Sequence, residues 1–138
     1  INEGNDVLLK VLVGKVKNIS SAVQTYSPVS IFDVQFAKPS LIDLDIPKNQ
    51  TAMVYVIDGE LKFHEDNQIA RKGQMIYFDQ SSDMINLTSI SPNGSYLVLA
   101  GEPLNEPVVR YGPFVTNTEG DMKQAMLDYQ NGKMGTLS

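Results

Sequence analysis

The side chains that most often carry out chemistry are scarce in this sequence of 138 residues. It has one histidine, His64, and no cysteine. The missing cysteines exclude disulfides, thiolate nucleophiles and cysteine-ligated metal sites, and one histidine supports neither a Cys–His nor a Ser–His–acid arrangement. We interpret His64 as a solvent-facing turn residue, with a surface or partner-shared ligand as the alternative. We therefore predict no catalytic residue in this chain.

The charged residues are spread along the chain and favour solvated surfaces. Asp43 and Asp45 share one face of a strand, but a catalytic acid–base pair would need burial or a like-charge partner to shift its pKa. Arg71 and Lys72 form the densest basic spot, beside Gly73 in a turn. Because the net charge is −5 and no basic face is clustered, direct nucleic-acid binding is not expected.

Most of the chain consists of short β-like runs separated by turn residues, which is typical of a sandwich or a closed barrel. Asp58 and Gly59 predict a hairpin between two of the runs, because glycine tolerates the positive φ of a tight turn. The longest apolar run, Ala52–Ile57, is too short to cross a bilayer, so no membrane contact is expected. The runs are Val7–Val13, Val29–Phe36, Leu41–Ile46, Met53–Ile57, Glu60–Phe63, Gln74–Phe78, Met84–Thr88 and Ser95–Ala100.

The last third of the chain changes character. Two prolines within 101–107 exclude a regular strand or helix there. One helix is predicted beyond it, starting with a capping-box-like pair, Thr118 and Asp121, and ending at Gly132. Its apolar face is formed by residues at helical spacing, namely Met122, Ala125, Met126 and Tyr129.

Four segments of the chain resemble the C-terminal domain of pirin proteins. The longest is GEPLNEPVVRYGPFV at 101–115, followed by Asn117 and Thr118. The others are 26–28 (YSP), 52–59 (AMVYV with Gly59) and 128–135 (DYQNGKMG). Together they cover nearly the whole chain in the same order as in that domain.

This resemblance implies an all-β cupin-type double-stranded β-helix barrel, or jelly roll, with one C-terminal α-helix. We expect a single domain over 1–138, with the barrel over 1–100 and an extended tail plus helix over 101–138. Pirins carry two cupin domains, and the N-terminal one holds iron through histidines. The resemblance therefore implies a longer two-domain protein, cytoplasmic, or nuclear if eukaryotic. Some pirins are transcriptional co-regulators, and several oxidise quercetin as dioxygenases.

The metal-ligand positions of a cupin can be tested one by one. Metal-binding cupins hold their ion through three His and one Glu from two motifs. Anchored on the glycines at 59 and 73, these motifs place the ligand positions at Ile46, Lys48, Ala52 and Met84. None of these residues is a ligand, and Lys48 would repel a cation. We therefore expect no cofactor in this chain, with iron expected in the N-terminal domain.

Strand alternation predicts what fills the barrel instead. Three residues of the opposite face, Met53, Tyr55 and Ile57, are also apolar, so the N-terminal strand or the helix is expected to cover them. The main interpretation is a self-filled core, and the polar groups of one strand leave a candidate pocket at Met84, Asn86 and Thr88. The predicted inward residues are Ile42, Leu44, Ile46, Ala52, Val54, Val56, Met84, Asn86, Thr88 and Ile90.

The tail carries a candidate interface. It is expected to contact the N-terminal cupin domain of the same protein or a second copy of the chain, and a regulatory protein partner is a further expectation. The alternative is that these side chains pack on their own barrel. The residues are Arg110, Tyr111, Phe114, Met122, Met126 and Tyr129.

Three functions stay open at this point. The first is a non-catalytic structural and interaction domain of a pirin-like protein, with the metal site of this domain lost. The second is a part of a pirin-type quercetin 2,3-dioxygenase whose iron site lies in the N-terminal domain. The third is a small-molecule-binding cupin that uses the degenerate barrel.

Overall fold

The computed structural model of the protein describes residues 6–63, 68–78 and 83–135, and His64 lies outside this part of the chain. Contacts divide the chain into two compact units, Ile1–Pro103 and Leu104–Ser138. The first unit is built from strands, and the second contains a short hairpin and a helix. Within the described residues, no helix has the length and apolar character that crossing a membrane requires.

The described elements follow the predicted runs closely, with a few additions. Two short strands after the first one, the strand that ends at Arg71 and the hairpin of the tail were not predicted. The elements are β1 (Val7–Val13), β2 (Lys15–Val16), β3 (Ile19–Ser20), β4 (Val29–Phe36), β5 (Ser40–Asp45), β6 (Thr51–Asp58), β7 (Glu60–Phe63), β8 (Gln68–Arg71), β9 (Met75–Phe78), β10 (Met84–Ser89), β11 (Gly94–Gly101), β12 (Val109–Tyr111), β13 (Phe114–Thr116) and α1 (Glu119–Gln130).

The first unit consists of two antiparallel sheets that share one core. The five-stranded sheet has the order β1-β4-β11-β6-β9, and the four-stranded sheet has the order β5-β10-β7-β8. From β4 to β11 the chain passes back and forth between the sheets, except that β7 and β8 pair with each other. This confirms the all-β prediction.

The core is formed by alternate residues of both sheets, as a period of two requires. The inward residues predicted for β5 and β6 are correct, since all of them are buried. The core cluster of the described residues contains Val7, Leu9, Val16, Phe32, Val34, Phe36, Ile42, Leu44, Ile46, Ala52, Val54, Val56, Leu61, Ala70, Ile76, Ile85, Leu87, Tyr96, Val98 and Ala100.

The turn at Asp58 and Gly59 is present, but the predicted hairpin is wrong. β6 pairs with β11 and β9, whereas β7 pairs with β8 and β10, so the chain crosses from one sheet to the other at this turn. Gly59 has φ +86°, and a Cβ added there would lie 2.8 Å from the carbonyl oxygen of Asn93. A sequence run followed by Asp-Gly does not distinguish a hairpin from a sheet crossing, because both need the same local backbone.

One buried hydroxyl links the two sheets. Tyr96 of β11 is fully buried, and its hydroxyl donates to the backbone oxygen of Glu60 at 3.0 Å. The Ser89 hydroxyl lies 2.9 Å from the Tyr96 hydroxyl oxygen and, because the tyrosine proton is engaged with Glu60, donates to that oxygen. Both partners belong to the four-stranded sheet. Burial raises the pKa of Tyr96, the hydrogen bond with Ser89 opposes this, and the Asp58 and Glu60 carboxylates add to the rise.

The Tyr96 ring and hydroxyl lie against glycine backbone. A Cβ added at Gly94 would overlap the Tyr96 hydroxyl and ring, and Gly94 itself is buried. Phe36 contacts Tyr96 edge-on, with ring centroids 5.6 Å apart. The position of this tyrosine is therefore set by close packing as well as by its hydrogen bonds.

In the second unit, α1 lies on the β12–β13 hairpin. Thr118 caps the helix, since its side chain accepts a hydrogen bond from the Asp121 N–H at 3.1 Å, and this confirms the predicted start. Gly132, with φ +68°, follows the C-cap and confirms the predicted end. Met122 is the buried residue of the helix. The Asn117 amide donates to the Pro107 oxygen at 3.0 Å.

Gly94→Ala is expected to destabilise the barrel by about 1–3 kcal/mol, because the added methyl group must displace the Tyr96 ring. The measurement is the free energy of unfolding in urea. Gly101→Ala on the same strand is the matched control, since a Cβ there meets no atom closer than 3.8 Å. Equal stability of the two variants would contradict the tight contact.

Tyr96→Phe is expected to cost about 1–3 kcal/mol, because it leaves the buried Ser89 hydroxyl and Glu60 oxygen without this partner. The unfolded chain ionises the tyrosine at about pH 10, and the folded chain resists ionisation to a higher pH. The stability contributed by Tyr96 is therefore present below about pH 10 and is lost as pH rises through the folded pKa.

This alkaline loss is measured by denaturant unfolding across a pH series. Tyr96→Phe is expected to remove part of the loss. The control Tyr77→Phe removes an exposed hydroxyl and is expected to keep all of it. An unchanged pH profile in Tyr96→Phe would show that the buried hydroxyl is not linked to folding.

Candidate functional site

The first cupin motif has no metal ligand at its ligand positions. Ile46 and Ala52 are each 3% exposed and belong to the apolar core. Lys48 is exposed, and its Nζ lies 3.3 Å from the Asp83 carboxylate. Two of the three positions are thus occupied by buried apolar side chains, and the third is a surface lysine that is paired with a carboxylate.

The predicted inward orientation of Met84, Asn86 and Thr88 on β10, and of Ile90 just after it, is wrong. The buried residues of this strand are Ile85, Leu87 and Ser89. In the ladder with β5, Asn86 is opposite Asp43, and residues that are directly opposite share a face. The motif spacing counted from Gly73 thus selects outward residues of β10, and a shift of one residue moves every side chain of a strand to the other face.

The inward residues of β10 also provide no metal ligand set. They are Ile85, Leu87 and Ser89, and the Ser89 hydroxyl is engaged with Tyr96. Over 6–63, 68–78 and 83–135, no three or more His, Cys, Asp or Glu side chains are grouped to hold a metal ion. The described residues at these positions therefore do not fit the iron of metal-binding cupins.

The candidate pocket residues lie on the outer face of the four-stranded sheet. The Asn86 amide donates to the Asp43 carboxylate at 2.6 Å, Met84 is exposed and Thr88 is half-buried. Asp43 and Asp45 are exposed, as expected for a solvated strand face. The three residues thus form an open surface rather than the wall of a barrel cavity, and ligand binding by them stays a prediction.

The basic spot at Arg71 and Lys72 is paired with carboxylates. The Arg71 Nε donates to Glu60 Oε1 at 2.9 Å, and the Lys72 Nζ lies 3.1 Å from Asp58 Oδ1. These side chains are exposed, so each pair contributes little to stability. The local charge is balanced at this turn, as expected for a solvated surface.

The outer face of the five-stranded sheet is apolar at its centre and along one edge. The expected cover by the N-terminal strand is wrong, because β1 extends the same sheet at its far edge instead of lying across it. The helix belongs to the second unit. The exposed or half-buried apolar side chains of this face on β6, β9 and β11 are Met53, Tyr55, Ile57, Met75, Tyr77, Leu97 and Leu99.

All six candidate interface residues lie in the helix–hairpin structure of the second unit. Met122 is buried, Met126 and Phe114 are half-buried, and the Phe114 and Tyr129 rings meet edge-on at 5.7 Å. Tyr111 is exposed, as is its neighbour Arg110. The hairpin therefore takes up part of the apolar face of α1, and contact of these residues with a partner stays a prediction.

A groove in the second unit was not predicted. Its volume is about 440 Å³, and it lies between the extended segment that precedes β12 and the strand β13. The sequence feature that could have indicated it is the Pro-rich segment, because proline lacks the N–H that pairing within a sheet requires. The lining residues are Leu104, Asn105, Glu106, Pro107, Val108, Val115, Thr116 and Asn117.

The chain is similar to pirins over nearly its whole length. Pirin of Homo sapiens is 34% identical over 131 residues, covering 94% of this chain and 45% of pirin. Pirin-1 of Arabidopsis thaliana is 35% identical over 136 residues, covering 96% of this chain and 47% of that protein. The chain thus spans a little under half the length of these relatives.

A solved structure has the same architecture. The crystal structure of a quercetin 2,3-dioxygenase from Acinetobacter baumannii matches with a TM-score of 0.86 at 28% identity, over 99% of this chain and 46% of that one. The two-sheet barrel with one helix is therefore of the cupin type. The family model described as the pirin C-terminal cupin domain matches residues 31–135. The chain belongs to the pirin C-terminal cupin domain family.

Proposed function

We propose that this chain is a non-catalytic structural and interaction domain of a pirin-like cupin protein. Its role is to present surfaces to a partner, and the redox chemistry of such proteins lies in another domain. The partner proposed first is a metal-binding cupin domain of the same protein. A cytoplasmic location belongs to the same proposal.

The observation that carries the non-catalytic role is the filled barrel. At two of the cupin ligand positions this barrel has Ile46 and Ala52, and Ile85 is the inward residue beside a third; each of the three is buried. The polar pair inside the core, Ser89 and Tyr96, satisfies its own hydrogen bonds. Buried polar groups that are already paired gain little from a ligand. The same packing counts against a small-molecule site inside the barrel.

The interaction role is supported by apolar side chains that are left exposed in both units. Tyr77 of β9 and Tyr111 of β12 are more than half exposed. Tyrosines are frequent at protein interfaces, because a large apolar ring is joined to a polar tip. Exposed apolar groups that are grouped rather than scattered mark interaction surfaces.

The chain is expected to retain no stoichiometric iron after incubation with Fe(II) and desalting, and to consume no quercetin under aerobic conditions. Metal analysis of the desalted protein and the absorbance of quercetin are the two measurements. The Acinetobacter baumannii quercetin 2,3-dioxygenase, treated in the same way, is the positive control for turnover. Stoichiometric iron in the desalted chain contradicts the proposal, with or without turnover.

The interaction role is tested in a protein that joins this chain to a metal-binding cupin domain. Tyr111→Ser is expected to lower the melting temperature of the joined protein and to leave that of the isolated chain unchanged, because it removes an apolar contact made only with the partner. Tyr26→Ser is the matched control, since the Tyr26 side chain is also exposed. Identical melting temperatures for both joined variants would argue against a contact at Tyr111.

A second candidate is a supporting part of a pirin-type quercetin 2,3-dioxygenase. It is favoured by the similarity to the Acinetobacter baumannii enzyme, because this chain covers nearly half of that structure. In this case the domain would shape or shield a site held elsewhere. Quercetin consumption by the joined protein, compared with that of its metal-binding domain alone, tests the idea, and equal turnover would remove any enzymatic contribution.

A further inference from the structure

The four edge strands of the two sheets differ in how they are protected against pairing with another strand. An unprotected edge offers a row of backbone donors and acceptors to any further strand, and charges or bulges normally prevent this. β1 carries Lys10 and a register shift near its end. β5 carries Asp43 and Asp45, and β8 carries Arg71.

β9 has neither a charged residue nor a bulge. Its four residues, Met75–Phe78, are uncharged, and they run in the ladder with β6 without a register shift. Among the described strands, none pairs with its other side. All four residues have side chains that are frequent in strands or pack adaptably. β9 is thus the edge strand whose residues least oppose pairing with another strand.

The two faces of β9 also suit an interface. On the outer face, Met75 is 57% exposed and Tyr77 is 67% exposed, and their cross-strand neighbours on β6 are Tyr55 and Met53. On the inner face, Ile76 is buried. Phe78 packs edge-on against Phe63 of β7, with ring centroids 6.2 Å apart. The edge is therefore held in place from inside while its outer side chains stay open.

We infer that β9 is a self-association edge, at which two copies of this chain pair antiparallel strands into one continuous ten-stranded sheet, twice the five strands of one copy. The occupant is a second copy because the edge complements itself. A two-fold axis at Ile76 places Met75 of one copy opposite Tyr77 of the other, which gives a sulfur–aromatic contact in each half. No like charges oppose each other in this pairing.

The same symmetry disfavours the β5 and β1 edges. A two-fold axis on β5 brings Asp43 and Asp45 of one copy against those of the other, and like charges that are directly opposite destabilise a strand pair. On β1, an axis at Lys10 opposes two lysines. The inference deepens the proposed interaction role, and it depends on residues other than Tyr111, so either proposal can fail while the other stands.

Sedimentation velocity of the chain over a concentration series is the first test. A dimer that forms as concentration rises is expected, since a four-residue edge pairs weakly. The charge variants M75K/Y77K and M75E/Y77E each oppose like charges and are expected to stay monomeric alone. Mixed together, they are expected to form a heterodimer, because each lysine then faces a glutamate.

Leu41→Lys is the matched control, because Leu41 is exposed to a similar extent on the other sheet, and it is expected to dimerise like the unmodified chain. Amide hydrogen exchange of the unmodified chain gives a readout that needs no variant. Protection of the β9 amides is expected to increase with concentration, while that of β5 stays constant. A monomer at every concentration, or dimers of either charge variant alone, would overturn the inference.

Discussion

The constraint on which the barrel most depends is the buried link between its two sheets. Tyr96 on the five-stranded sheet is tied through its hydroxyl to Ser89 and to the Glu60 backbone on the four-stranded sheet. The apolar residues around it would pack in several similar arrangements, because hydrophobic contact has little directional preference. A satisfied hydrogen-bonded pair inside the core permits far fewer. Glycine is needed at positions 59 and 94 because a Cβ at either one would lie too close to the Tyr96 hydroxyl.

The interior of the barrel separates this domain from the metal-binding members of its fold. A metal centre needs several ligands at fixed positions, and those ligands are in turn held by further hydrogen bonds. Here the described inward positions are mostly aliphatic, and the buried Ser89 and Tyr96 hydroxyls bond to each other. Under the proposed non-catalytic role, binding takes place outside the barrel, on the sheet that contains Tyr55 and on the tail unit, and function in this chain is a property of its surface.

Strand positions, the helix and the family were accessible from the sequence, because alternation, turn residues and a long tail motif all lie in local patterns. The face of β10 was not accessible. It depends on the register of β10 in its pairing with β5. A shift of that register by one residue would turn Met84 inward and Ile85 outward. The pairing of β7 was missed for a similar reason, since partners are chosen over long sequence distances. β8 was overlooked because Gln68–Arg71 is short and half polar.

The filled interior has a consequence for how such a domain changes over evolution. Residues that coordinate an ion must keep both their identity and their geometry, whereas residues that only fill space can exchange volume with their neighbours. Inward positions such as Val54 and Leu87 can therefore accept substitutions when a neighbouring residue changes volume in the opposite sense. The cluster of Tyr96, Ser89 and Gly94 cannot accept such substitutions, because the hydrogen bond of Tyr96 with Ser89 and its close contact with Gly94 both depend on the side chains present. Sequence divergence within this family should therefore be greater at the aliphatic inward positions than at this corner.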